Sequence, residues 1–311
     1  QVLHELDSVL HIFGQEKVVE SDVSLAVSRL NRIIEIQKIL IDQIRILETM
    51  TAMDFLEFRD DLFPSSGFQS AQFRLLENKL GLLKNERINY GRTDYKNVIL
   101  EEDKIKVEQS ENERSLFELL ENWLERTPFL SFEGFNFWEQ YSDAVRSMLH
   151  DEARVIQKNP NYTEKEIVYH LKEHQRAVSS FEAMIDGKKH NKLIEKKKKR
   201  LSHKATQAAL LIFLYRDEPI LHSPYNLLSR IMDVDELFTT WRQRHALMVR
   251  RMIGAKIGTG GSSGHAYLQA TADRHKVFAE LADLSTFFIP RSALPVLPEH
   301  IKQNLGYHFK S

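Results

Sequence analysis

Apolar residues return every third or fourth position along most of this 311-residue chain. At the start, Val2, Leu3, Leu6, Val9, Leu10 and Phe13 fall on one stripe, the spacing of an amphipathic helix. The run from Leu25 to Leu62 holds neither proline nor glycine and predicts one long helix. It stops at Phe63–Gly67 (FPSSG), where Pro64 cannot extend a helix and Gly67 tolerates a turn. A second helix is predicted from about Phe68 to Leu83. Asn85–Ser110 is polar and irregular, with room for one short strand at most. Helical spacing resumes over Glu113–Arg126, stops at Thr127–Leu130 (TPFL), breaks again at Pro160–Thr163 (PNYT), and persists to about Leu193. The longest apolar run, Ala208–Tyr215 (AALLIFLY), is far short of the roughly 20 residues of a membrane span and predicts a buried helix. Ile289–His300 (IPRSALPVLPEH) is proline-rich and ends the helical body. The pattern predicts an all-α protein.

The helix of most interest leads into a cluster of glycines. Asp233 and Glu236, in DVDE, have the spacing of a capping box and predict its start. Trp241, His245, Met248, Val249 and Met252 then form one stripe, while Arg242, Arg244, Arg250 and Arg251 lie mainly off it. A histidine on an apolar stripe is either a core residue satisfied by a hydrogen bond or a ligand, and a neutral imidazole in an apolar wall suits a haem iron. No HExxH or paired-histidine spacing for zinc is present.

Beyond this helix, GAKIGTGGSSGHAY (Gly254–Tyr267) places five of the twelve glycines within eleven residues. It is no Walker A loop, lacking GK[ST], and no GxGxxG, since Ser263 stands where the third glycine belongs. Gly260, Ser262 and Gly264 do match GxSxG, the nucleophile turn of serine hydrolases. That motif works as a strand-to-helix turn on a parallel sheet, and here an arginine-rich helix precedes it and no set of strands is predicted. A flexible loop remains, whose backbone N–H groups and Thr259 hydroxyl suit an anionic or zwitterionic group. Phe55 and Arg59, four apart, project from one helix face. They read either as a core phenylalanine with a surface arginine, or as an aromatic wall beside a guanidinium that clamps a carboxylate.

Composition narrows the classes. Hydrophobic residues make up 42% and charged residues 28%, the net charge is −1 and the pI about 7.0, so nothing global points to nucleic acid or an anionic membrane. The basic run Lys188–Arg200 lacks interleaved aromatics and reads as a solvated face or as a local nucleic-acid patch. With no cysteine, disulfides, thiolate metal sites and cysteine nucleophiles are excluded. Gln1 already sits inside a helical pattern, which predicts that an N-terminal segment is absent from this sequence. Composition alone favours a helical scaffold or interaction module over an enzyme, and bound haem separates the two.

The segments FRDDLFPSSGFQSAQFRLLENKLG, WLERTPFL, GFNFW and WRQRHALMVRRMIGAKIGTGGSSG resemble the tryptophan 2,3-dioxygenase family, and the similarity runs from His4 to Arg291. The resemblance implies an all-α helical-bundle haem dioxygenase with a small helical insertion. The core would comprise residues 1–130 and 201–311, and the insertion 131–200. It implies a cytoplasmic homotetramer with one haem b per subunit. The reaction would open the indole ring of L-tryptophan with O2 to give N-formyl-L-kynurenine, the first step of the kynurenine pathway, without nucleic acid or membrane partners. By the same resemblance His245 is the axial ligand of the haem iron, with Trp241, Val249, Arg74 and Gly258 in the haem pocket. Arg59 binds the substrate carboxylate. Thr259 and Gly260 lie at the ammonium and carboxylate end. Phe55 and Leu62 pack the indole, and Ser66 and Gly67 form the turn beside bound O2. Trp123, Arg126 and Pro128 resemble part of a second, non-catalytic tryptophan site. No residue of this sequence is implied as nucleophile or base. The family's distal histidine is expected in the segment before Gln1, and His265 stands where the family often has tyrosine.

Overall fold

The computed structural model describes residues 1–63, 67–88, 99–126, 137–258, 264–299 and 301–302. Among these the regular elements are thirteen α-helices and short 3-10 turns, with no strand. The all-α expectation holds. The chain divides into two compact units, one of residues 1–120 and 229–279, the other of residues 121–228 and 280–311. Residues 131–200 fall inside the second unit, together with 201–228 and 280–311.

In the first unit α1 (Val2–Phe13) packs on α2 (Glu20–Leu47). Leu6, Val9 and Phe13 of α1 are buried, as are Ala26, Leu30 and Ile33 of α2, so both predicted stripes are the buried faces. Glu5 is buried between them and accepts from Arg29 at 3.0 Å and Arg32 at 2.9 Å. The helix predicted to run unbroken to Leu62 ends instead at Leu47. Thr51 Oγ1 accepts from the Asp54 backbone N–H at 3.2 Å while the Asp54 carboxylate accepts from the Thr51 N–H at 3.1 Å. This reciprocal cap starts α3 (Ala52–Phe58), and the chain tightens into a 3-10 turn at Arg59–Leu62.

Ser70 caps α4 (Ala71–Leu80), and Gly81 at φ 111° closes it. The Leu82 N–H then reaches back to the Glu77 carbonyl at 2.9 Å, a Schellman-type end that needs a left-handed residue. The stretch predicted to be irregular contains a helix, α5 (Glu101–Ser110). Its sequence is too polar to show a stripe, but Val107 is buried beside Ala71 and Ile99. Asn78 of α4 fixes it further by donating to Ser110 Oγ at 2.8 Å. α6 (Leu116–Glu125) follows.

The second unit contains α7 (Phe137–Lys158) and α8 (Glu164–Ile185), which pack on each other and are separated at Pro160 as predicted. α9 (Gly187–Glu195) and α10 (His203–Leu214) come next. α10 carries the apolar run, with Ala208, Leu210, Leu211 and Ile212 buried. Its start is held by carboxylates: Glu121 accepts from the Ser202 N–H at 2.7 Å, and Glu280 from the Arg200 N–H at 2.6 Å. Tyr141 and Tyr215 donate to the Phe287 and Pro295 carbonyls, each at 2.7 Å.

α11 (Pro219–Ile253) is one 35-residue helix, and it corrects the expected start at Asp233. That residue is mid-helix and pairs with Arg230 at 2.8 Å. The nearby Asp235 accepts from the Val277 and Phe278 N–H groups at 3.2 and 2.9 Å. The acidic residues are spent on tertiary contacts, not on a cap. α12 (His265–Arg274) and α13 (Ala279–Asp283) complete the set. No described helix is long and apolar enough to cross a membrane.

Candidate functional site

The first unit contains a half-open cavity of about 350 Å³, within the roughly 300–1,000 Å³ usual for ligand pockets. α11 supplies its longest wall. Trp241, His245, Met248, Val249 and Met252 all line it, as the 3.6-residue period requires of positions on one stripe. The rings of Trp241 and His245 stack at 5.1 Å and 17°, and Phe73 of α4 lies 5.6 Å from Trp241. Burial alone lowers the pKa of the His245 imidazole, and among the described residues it has no hydrogen-bond partner. The reading of His245 as a core histidine satisfied by a hydrogen bond is therefore not what the structure contains. His245 lines the cavity, and burial favours its neutral form.

Phe55 and Arg59 line the same cavity. The Arg59 guanidinium donates to the Ile257 carbonyl at 2.6 Å, which ties the end of α3 to the start of the glycine-rich segment. At that segment's entry Gly254 takes φ 60°, and at its exit Gly264 takes φ 57°, a region that favours glycine. His265 Nδ1 donates to the Ala246 carbonyl at 3.0 Å, so Nδ1 carries the proton.

A polar floor completes the lining, and sequence reasoning missed most of it. Glu77 of α4, 3% exposed, accepts from Arg74 at 2.9 Å, Arg87 at 3.0 Å, Arg242 at 3.1 Å and His275 Nδ1 at 3.2 Å. Burial pushes the Glu77 carboxyl up, but the His275 hydrogen bond and the charges of Arg74, Arg87 and Arg242 outweigh it and hold it well below the usual carboxylate range. Arg242 was placed mainly off the apolar stripe by its spacing. It is in fact buried, with its guanidinium 5.4 Å from the Phe73 ring and 6.0 Å from the Phe238 ring. Flat guanidinium faces stack on aromatics, which lets a charged residue occupy a position beside the stripe. Tyr267 also lines the cavity, its hydroxyl accepting from Arg74. The i, i+3 pair Arg74–Glu77 was visible in the sequence; its partners from residues 87, 242 and 275 had no local signal.

Of the residues singled out from sequence, Phe55, Arg59, Gly67, Arg74, Trp241, His245, Val249 and Gly258 line this one cavity. Leu62 does not; it is 39% exposed. Ser66, Thr259, Gly260 and Pro128 lie outside the described residues. Trp123 and Arg126 belong to the second unit. No group of three or more His, Cys, Asp or Glu that could hold a metal ion by itself occurs among the described residues.

The family model for tryptophan 2,3-dioxygenase matches residues 1–288. The chain belongs to the tryptophan 2,3-dioxygenase family. It is 46% identical over 309 residues to the tryptophan 2,3-dioxygenase of Bdellovibrio bacteriovorus, covering 99% of this chain and 86% of that one. To the enzyme of that name from Dictyostelium discoideum it is 46% identical over 308 residues, with 99% and 77% covered. The Alteromonas mediterranea protein of the same name is 43% identical over 310 residues, with 100% and 86% covered. Within this family member, the residues carried over from the motifs and described by the structure converge on the cavity walled by α11, apart from Leu62 and the two in the second unit.

Proposed function

We propose that this protein is a haem-dependent dioxygenase that cleaves the indole C2–C3 bond of L-tryptophan with O2 to give N-formyl-L-kynurenine, the first step of tryptophan catabolism by the kynurenine pathway. The observation that carries the reading is that, in a member of this family, one cavity gathers His245, Phe55, Arg59 and Gly258.

The lining fits haem b, one per subunit. A lone neutral imidazole without a hydrogen-bond partner suits a metal whose other ligands come from a macrocycle. His245 would hold the haem iron, and Trp241, Val249, Arg74 and Gly258 would form the pocket around it. Among the charged side chains of the lining, Arg59, Arg74 and Arg242 face Glu77 alone, an excess of positive charge that suits the carboxylates of a porphyrin and of an amino acid. When bound, the haem supplies the binding and activation of O2.

The chain's own work is binding and orientation. Arg59 takes the substrate carboxylate in a bidentate pair, exchanging it for the Ile257 carbonyl that it now holds. Phe55, one turn earlier on the same lining, would pack the indole, a role that Leu62, exposed and outside the lining, does not share here. By the family resemblance Ser66 and Gly67 would lie beside bound O2, and Thr259 and Gly260 would meet the ammonium and carboxylate end. Holding both reactants in register supplies on the order of 7–11 kcal/mol at best. Both oxygen atoms enter the product, so no side chain is needed as nucleophile and no external reductant is consumed.

Trp123, Arg126 and Pro128 are proposed as part of a second, non-catalytic tryptophan site. A cytoplasmic homotetramer is proposed for the assembly, supported by large apolar side chains on α2 and α3 that remain 59–69% exposed, Ile39, Ile46 and Met53. The test is to reconstitute the protein with haem under reducing conditions, add L-tryptophan and isotopically labelled O2, and analyse the product. The expected product carries both labelled atoms. A haem-loaded protein that consumes neither tryptophan nor O2 would overturn the reading.

A further inference from the structure

The arm that carries Phe55 and Arg59 is held to the molecule at few points. α3 spans seven residues and buries none of them, and the 3-10 turn after it buries none either. Isolated helices shorter than about 12–15 residues are marginal in water, so α3 depends on whatever ties it down. Its local support is the reciprocal Thr51–Asp54 cap and the edge contact between the Phe55 and Phe58 rings, 5.5 Å apart.

Beyond bonds to the adjoining end of α2, two hydrogen bonds link residues 48–63 to other described parts of the chain. One is Arg59 to the Ile257 carbonyl at 2.6 Å. The other lies at the root of the arm, where Arg244 donates to the Glu48 carboxylate at 2.8 Å. Glu48 closes α2, at the break that periodicity did not show. Arg244 directly precedes His245 on α11. The pair therefore joins the bend from which the arm springs to the helix that walls the cavity, across 196 residues of sequence. The Glu48 and Arg244 side chains are 24% and 36% exposed, and partly buried pairs are screened less than fully exposed ones.

Ligand binding treats the two ties differently. A substrate carboxylate that takes Arg59 releases the Ile257 carbonyl. The Glu48–Arg244 pair is then the tie that still holds the arm beside α11.

We infer that Glu48 and Arg244 are a positioning pair: they pin the root of the arm and so set how Phe55 and Arg59 stand over the cavity when Arg59 turns to its ligand. The inference rests on the reading of Arg59 as the carboxylate clamp, and it gives a role to two residues that do not line the cavity themselves.

The test is a double-mutant cycle of Glu48→Gln, Arg244→Gln and the two combined. In the haem-free proteins, amide hydrogen exchange over residues 49–63 and thermal melting are followed. In the haem-loaded proteins, kcat and KM for L-tryptophan are measured. A partly exposed ion pair shifts an equilibrium by a factor of about two to five. Each single variant is expected to speed exchange over 49–63 by about that factor, with a melting temperature close to wild type. KM should rise by a similar factor and kcat change less. The double variant should be no worse than either single one, as two ends of one contact require. Exchange or KM unchanged in the single variants would overturn the inference, as would effects that add in the double variant. Faster exchange across the whole first unit with a lower melting temperature would also overturn it, since that is a general loss of stability. A haem-loaded wild type that does not turn over L-tryptophan would overturn the clamp reading and the inference with it. Exchange in the haem-free proteins tells that outcome apart from failure of the pair itself.

Discussion

Arg59 shows how much one residue can be asked to do. It is the only arginine of the lining held by a carbonyl instead of by Glu77, so a carboxylate ligand can displace its present acceptor at small cost. Losing a charge-assisted bidentate contact costs roughly 1.5–3 kcal/mol. Arg59→Ala is therefore expected to raise KM for L-tryptophan by about 10- to 100-fold, with any fall in kcat reporting lost orientation. Steady-state kinetics close to wild type would remove Arg59 from the site. Gly81 is the structural counterpart. An added Cβ would lie 2.8 Å from the Phe117 Cβ and 2.9 Å from Ser115 Oγ, at a φ of 111°. Overpacking and a left-handed residue together predict that Gly81→Ala destabilises by about 2–4 kcal/mol, readable as a lower urea midpoint.

At the scale of elements, the stripe positions of α11 were legible because periodicity reports which residues share a face. Trp241, His245, Val249 and Met252 were read together and are found together on the cavity wall. Boundaries were less legible. Thr51 and Asp54 broke a helix that had no proline or glycine, since a reciprocal side-chain cap can outweigh an uninterrupted apolar pattern. Asp233 and Glu236 had cap spacing yet sit inside α11. Their context shows why spacing alone misleads: Asp235 between them is committed to the Val277 and Phe278 N–H groups across 40-odd residues of chain. The polar floor was hidden for the same reason, as contacts among residues 77, 87, 242 and 275 leave no trace in local sequence. Pro160–Thr163 behaved as read: Thr163 Oγ1 accepts from the Glu166 N–H at 3.4 Å, and the Glu166 carboxylate accepts from the Thr163 N–H at 2.8 Å. Thr163→Ala is expected to cost about 1 kcal/mol of stability, seen in denaturant melts, and to leave haem retention unchanged because α8 belongs to the other unit.

For the whole molecule, acid stability follows from the buried carboxylates. Glu77 has the largest of the carboxylate shifts, downward, and Glu5 is lowered too, chiefly by its hydrogen bond from Arg32. A depressed folded-state pKa contributes stability above the unfolded value that is lost as pH falls through the folded one. Asp235 and Glu121, raised by burial, act in the opposite sense with smaller shifts. The balance predicts a melting temperature that declines as pH drops below about 4.3, the ordinary glutamate value, and a shallower decline in Glu77→Gln. A melting temperature that rises over that range would show that Glu77 is not held ionised in the fold.

His245, set against an apolar wall without a hydrogen-bond partner among the described residues, would hold the haem iron in the proposed function. The most direct measurement is the absorption spectrum of the haem-reconstituted, dithionite-reduced protein with and without CO, beside that of His245→Ala. The wild type is expected to show a Soret band that shifts on adding CO, and the variant to lose its haem on desalting. A His245→Ala protein that keeps a full complement of haem with the same spectrum and the same CO shift would contradict that role.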